Sequence, residues 1–170
     1  MEGPDIGVRS VLEFVKVEHT LFSLPFVLMG YILALNQFDL EPGVDLVWIL
    51  LAAIGARGLA MALNRIIDRD IDAANPRTQG RQLATGSMSV QTAWMLSAAF
   101  LAMLLLSAGL LNRVALMMAW LPVLAFVAYP YMKRFTWLCH FWLGLCLGLA
   151  PAGAWVAMAA DVHGWAAITD

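Results

Sequence analysis

The chain holds 170 residues, 62% of them hydrophobic and 13% charged, with a mean hydropathy of +0.77 and a formal net charge of −2. A soluble domain runs nearer roughly 45–50% apolar and about 25% charged, and one core of this size cannot hide the excess. Composition therefore excludes an ordinary soluble globular protein and a disordered chain, and the near-neutral charge excludes a nucleic-acid binder. A polytopic membrane protein remains.

At roughly 20 apolar residues plus a short loop per span, the length allows about five to six spans. The segment before residue 20 carries Glu2, Asp5, Glu13 and Glu18. That is no signal-peptide n-region, and no small-residue cleavage site follows, so the first span is expected to be retained. Five apolar stretches predict an all-α transmembrane bundle: 20–38, 46–63, 92–111, 114–129 and 137–160, read as one domain over 1–170. Pro25, Pro122 and Pro151 fall inside three of them and predict kinks, because neighbouring helices can satisfy the carbonyls that proline frees. Gly144, Gly148 and Ala152 recur every four residues in the fifth span and predict close packing there. Cys139 and Cys146 share a face of that span and cannot bridge each other; they read as small membrane-core residues.

Orientation follows from counting cations. The N-terminal segment carries Arg9 and Lys16, the second loop Arg65, Arg69, Arg77 and Arg81, and the fourth loop Lys133 and Arg134. The intervening first and third loops and the C-terminal tail hold Arg113 alone, and Arg57 lies within a span. The positive-inside rule then places the N-terminus and the second and fourth loops in the cytoplasm of an inner or plasma membrane.

The second loop concentrates the chemistry. Asn64, Asp68 and Asp72 lie four apart, so on a helix one amide and two carboxylates form a column. Arg57, seven residues before Asn64, falls close to the same face. An ionisable residue inside a span is costly and usually faces a polar cavity. Asn75-Pro76 stops the helix, and Arg77 and Arg81 follow, able to fold back. Oxygen ligands in a column suit a hard cation, and Mg2+ is usually held by one or two carboxylates together with substrate phosphates. The arginines supply bidentate donors for phosphate oxygens. Together they describe a site for a phosphorylated, lipid-linked substrate at the membrane face. The plainer alternative makes Asp68, Asp70 and Asp72 solvated loop charges balanced by Arg65 and Arg69. An EF-hand fails, because Ala73 stands where glycine is needed and Gln79 where the bidentate glutamate belongs.

The run Asn64-x3-Asp68-x3-Asp72, followed by Asn75-Pro76-Arg77-Thr78 and Arg81, resembles the first aspartate-rich motif of the UbiA-type intramembrane prenyltransferases. So do Glu18-His19-Thr20-Leu21-Phe22-Ser23-Leu24-Pro25-Phe26 and, in the fourth loop, Tyr129-Pro130-Tyr131-Met132-Lys133-Arg134-Phe135-Thr136-Trp137. These matches fall in family order. Two departures stand out. The family pattern Arg-Pro-Leu-Pro-Ser-Gly reads here Arg81-Gln82-Leu83-Ala84-Thr85-Gly86, which loosens the turn but keeps the arginine. The family also has about nine spans and a second aspartate motif, whereas this chain has only Asp161 and Asp170 as acids after Asp72. The expectation is an N-terminal portion of a longer protein, incomplete at the C-terminus and inactive in isolation.

The resemblance implies transfer of a polyprenyl group from an allylic diphosphate to a small aromatic acid, 4-hydroxybenzoate first and a naphthoate-type menaquinone precursor next. Asn64, Asp68 and Asp72 would hold Mg2+ on the diphosphate, and Arg77, Arg81 and Lys133 would neutralise its oxygens. Apolar helix faces would hold the isoprenyl tail. Arg57 would bind the acceptor carboxylate or, equally, snorkel or pair within the bundle; Tyr129 would stack on the substrate or anchor at the interface. His19 reads as a helix-start hydrogen bond and His140 as packing. A transport module with the polar stripe as its path is the competing class. Its ionisable groups would be expected near the midplane, and only Arg57 approaches it.

Overall fold

The computed structural model describes residues 8–135 and 137–166, without the side chains of 8, 9 and 17–21. Among the described residues all regular structure is helical. Lys16 and Asp39, both in left-handed backbone (φ 52° and 51°), set off α2 (Val17–Phe38) from α1 (Val8–Val15) and from the loop after it. Next come α3 (Asp45–Ile67), α4 (Arg69–Ala74), α5 (Gln82–Thr85), α6 (Val90–Leu111), α7 (Arg113–Met118), α8 (Trp120–Phe135) and α9 (Cys139–His163). The start of α6 is capped by Ser89, whose hydroxyl accepts the Thr92 N–H at 3.0 Å. Asn112 caps α7 by accepting the Ala115 N–H at 2.8 Å, and its amide donates to the Ala157 carbonyl of α9 at 2.7 Å.

Among the described residues four helices are long and apolar enough to cross a membrane: Asp45–Ile67, Val90–Leu111, Arg113–Phe135 and Cys139–His163. The remaining expected span corresponds to α2, whose apolar stretch is the shorter Phe22–Phe38. The fourth span is broken at Ala119, between α7 and α8. Pro122 explains the break, because its ring has no N–H for the Met118 carbonyl and crowds it. Pro25 and Pro151 stay within their helices, as does Pro130 in α8.

The close packing lies elsewhere than the sequence suggested. Gly144 and Gly148 face open space, with nothing within 4 Å of a Cβ built on either. The tight approaches are made by Gly30, Gly55 and Gly58 instead. A Cβ on Gly30 would sit 2.1 Å from the Pro151 carbonyl oxygen, seating α2 on α9. One on Gly55 would sit 2.8 Å from the Leu104 amide nitrogen, and one on Gly58 would meet the Phe100 ring at 2.4 Å, seating α3 on α6. The spacing of four was the right signal for a packed face, but the first half of α9 has no helix against that face among the described residues.

Two cores result. Val27, Tyr31, Ala34, Ile49, Ala154, Ala157 and Met158 join α2, α3 and α9. Phe14, Val15, Ala62, Leu83, Met88 and Ala93 join α1, α3, α5 and α6 around the end of the bundle that carries the aspartates.

Candidate active site

One helix carries most of the polar side chains. Along α3, Arg57 and Asn64 lie two turns apart and both line a cavity of about 400 Å3 between the long helices. Its polar lining is completed by Ser23, Tyr129 and Cys146; the rest is apolar. The Nε of Arg57 is buried and has no hydrogen-bond partner among the described residues.

The column of Asn64, Asp68 and Asp72 survives a break in the helix. Asp68 leaves helical geometry (φ −94°, ψ 4°) between α3 and α4. Yet the Asp68 N–H still donates to the Asn64 carbonyl at 3.1 Å, and the Asp72 N–H to the Asp68 carbonyl at 2.8 Å. The register of four is kept through the kink. Asn75, extended at φ −103°, then ends α4 before Pro76 as expected.

Asp68 is 1% exposed, a burial that an unpaired carboxylate could not sustain. Two cations from α8 hold it. Lys133 pairs with Oδ2 and also donates to Asn64 Oδ1 at 3.0 Å. Arg134 donates to Oδ1 at 3.1 Å and to the Ile67 carbonyl at 2.8 Å. The Lys133 ammonium also lies 5.9 Å from the centre of the Tyr129 ring. These residues are not in a loop, as the sequence reading had them. They form the last turns of α8, which runs to Phe135, and a rigid helix therefore aims them.

Asp72, also buried, takes a different partner: Arg81 folds back and donates to its Oδ2 at 2.7 Å. The Thr78 hydroxyl donates to the Asp72 carbonyl at 3.1 Å and pins the turn between them. Arg77 does not fold back. Its side chain is exposed, and its backbone N–H caps Asn75 Oδ1 at 2.9 Å. Asp70 is exposed and pairs with Arg69, as solvated loop charges do. His140 is exposed rather than packed, with Nδ1 at 3.0 Å from the Trp137 carbonyl oxygen. The reading of His19 lies outside the described side chains. Cys139 and Cys146 are both free.

The UbiA prenyltransferase family model matches residues 23–169. The chain belongs to this family. It is 40% identical over 121 residues to the 4-hydroxybenzoate octaprenyltransferase of Psychrobacter arcticus, covering 68% of this chain and 38% of that protein. The apo structure of a UbiA homolog from Aeropyrum pernix K1 superposes with a TM-score of 0.79 at 40% identity, over 85% of this chain and 52% of that one. A UbiA homolog from Archaeoglobus fulgidus, solved bound to DMAPP and Mg2+, shares the fold with a TM-score of 0.60 at 20% identity, over 93% of this chain and 66% of that one. The chain thus spans about half the length of the Aeropyrum relative and less of the Psychrobacter one.

Within this family frame, sequence reasoning missed Arg134, which pairs with Asp68, and a brace beneath the neighbouring loop made by Arg65 and Gln82. Arg65 is 4% exposed and donates to Gln82 Oε1 at 2.7 Å and to the Glu13 carbonyl at 3.4 Å. Its guanidinium lies 5.2 Å over the Phe14 ring. The adjacent cations Lys133-Arg134 at a helix end were a visible signal for Arg134. Nothing local marks Arg65 and Gln82, which are 17 residues apart.

The donors fit a hard cation. Asn64 Oδ1 and an Asp68 carboxylate oxygen converge on one positive charge, the Lys133 ammonium, which stands where a cation shared by the two would stand. Asp72 is turned to Arg81 instead, and among the described residues no three His, Cys, Asp or Glu side chains gather as a metal group.

Proposed function

We propose that this chain carries the diphosphate-binding half of a Mg2+-dependent polyprenyl transfer from an allylic diphosphate to an aromatic acceptor, 4-hydroxybenzoate, at the cytoplasmic face of the membrane. The observation that carries the reading is the Lys133 ammonium bridging Asn64 and Asp68 beside an apolar cavity that Asn64 also lines. The Psychrobacter relative's name supports the acceptor, and the Archaeoglobus homolog bound to DMAPP and Mg2+ supports the donor and the metal.

In this reading Asn64 and Asp68 would hold Mg2+, with Asp72 assisting, and the ion when bound would supply positive charge for a diphosphate leaving group. Lys133 and Arg81 turn from their carboxylates to diphosphate oxygens as negative charge builds there, and Arg77 reaches in from the loop. Such preorganised cations stabilise most in a site that excludes water. The apolar lining holds the isoprenyl chain. Arg57, with its unpartnered Nε, offers a donor to the acceptor carboxylate, and Tyr129 a ring beside it. The electron-rich acceptor ring attacks the allylic carbon as the bond to diphosphate breaks, and the ring then loses its proton.

The test is Mg2+-dependent binding of a polyprenyl diphosphate to the chain in proteoliposomes. Asp68→Ala and metal chelation are each expected to weaken binding by about 100-fold. Full binding by Asp68→Ala would overturn the metal assignment.

A further inference from the structure

The loop between Asp72 and α6 departs from the family pattern at two positions. Position 82 holds Gln rather than Pro, and position 84 Ala rather than Pro. Yet the loop is tightly held. Gln82 opens α5, and its Oε1 accepts the Arg65 N–H at 2.7 Å. Its carbonyl accepts the Thr85 hydroxyl at 3.2 Å, the Ser87 hydroxyl at 3.3 Å and the Met88 N–H at 3.2 Å. One residue earlier, Arg81 is extended (φ −71°, ψ 147°) and donates to Asp72.

We propose that Arg65 is a positioning residue which, through Gln82, fixes the loop that aims Arg81 at Asp72, replacing by one hydrogen bond the rigidity that a proline ring supplies at position 82. Burial gives this bond its strength: Arg65 lies under α1, against the Phe14 ring, where a donor without an acceptor is costly. The backbone there already suits a proline. Position 82 is the first residue of its helix, where proline is favoured, and Arg81 before it has the extended conformation that a following proline requires. Either device therefore locks the same loop shape. The consequence for diphosphate binding rests on the function proposed above.

The experiment combines hydrogen–deuterium exchange across residues 76–86 with binding of a polyprenyl diphosphate in Mg2+, both on the chain in nanodiscs. Gln82→Leu is expected to speed exchange in 76–86 about tenfold and to weaken diphosphate binding by a similar factor, with α1 unaffected. Gln82→Pro is expected to keep both near the unaltered values, while the Arg65 donor it leaves without an acceptor lowers overall stability. Arg65→Met should loosen 76–86 in the Gln82 chain and much less in the Gln82→Pro chain, and this non-additivity is the mark of a shared task. Unchanged exchange in Gln82→Leu, or equal loosening by Arg65→Met in both backgrounds, overturns the proposal. If the unaltered chain binds no diphosphate, the functional reading fails instead, and the exchange comparison alone decides the role of Arg65.

Discussion

Asp68 and Lys133 show how much chemistry one residue pair can fix. A carboxylate that is 1% exposed meets two cations that follow it by 65 and 66 residues in the chain. Removing one partner of a fully buried pair costs about 3–5 kcal/mol; here the loss is smaller, because Arg134 remains and Lys133 is 30% exposed at its side chain. Lys133→Met should therefore fold. It should bind Mn2+, read by electron paramagnetic resonance, more tightly than the unaltered chain when no diphosphate is present, because the competing ammonium is gone. With diphosphate it should bind that ligand about tenfold more weakly. Equal Mn2+ affinity in the two chains would mean that Lys133 does not stand in the cation position. The Asn64-to-Asp72 column and the fold-back of Arg81 were legible in the sequence because they obey local spacing. Arg134 on the Ile67 carbonyl and Arg65 on Gln82 were not, because long-range packing decides both.

Helices show the same division between local and distant causes. The apolar runs and the stop at Asn75-Pro76 follow from residue type, and the structure has them; of the three prolines expected to kink a span, Pro122 alone has a helix break ahead of it. Which small residues bring helices together depends on which helices are neighbours, and spacing cannot reveal that. Gly30 has the Pro151 carbonyl against it, whereas Gly148 has open space. Gly30→Ala forces two backbones apart and should destabilise by about 1–3 kcal/mol or more, as overpacking does. Gly148→Ala should be neutral or slightly stabilising through helix propensity. Unfolding of the two variants in detergent, followed by circular dichroism, separates them; equal loss would show that the α2–α9 contact is not the constraint. Asn112→Ala, which removes both the cap on α7 and the tie to Ala157, should cost about 1–2 kcal/mol in the same assay.

At the scale of the molecule, charge and contact agree on one end. Eight of the ten Lys and Arg residues belong to the N-terminal segment, the motif loop and the end of α8. Those segments meet: Arg65 bonds the Glu13 carbonyl in the last turn of α1, and Lys133 and Arg134 bond the end of α3. Helix packing brings this end together, and the positive-inside rule is the ground for proposing that it faces the cytoplasm. The opposite end carries Asp39, Glu41 and Asp45 in the first loop. With Cys139 and Cys146 replaced by serine, a cysteine introduced for Gln79 is expected to react with a membrane-impermeant maleimide only in inside-out vesicles. One introduced for Glu41 should react only in right-side-out vesicles. Both positions are exposed, so folding does not limit their labelling. The reverse pattern would put the aspartates outside the cell, away from the compartment to which the cation count assigns them. It would also mean that the eight cations do not set the orientation. Labelling of both positions from one side would contradict the spans themselves, because α3 is the one span-length helix between the two positions.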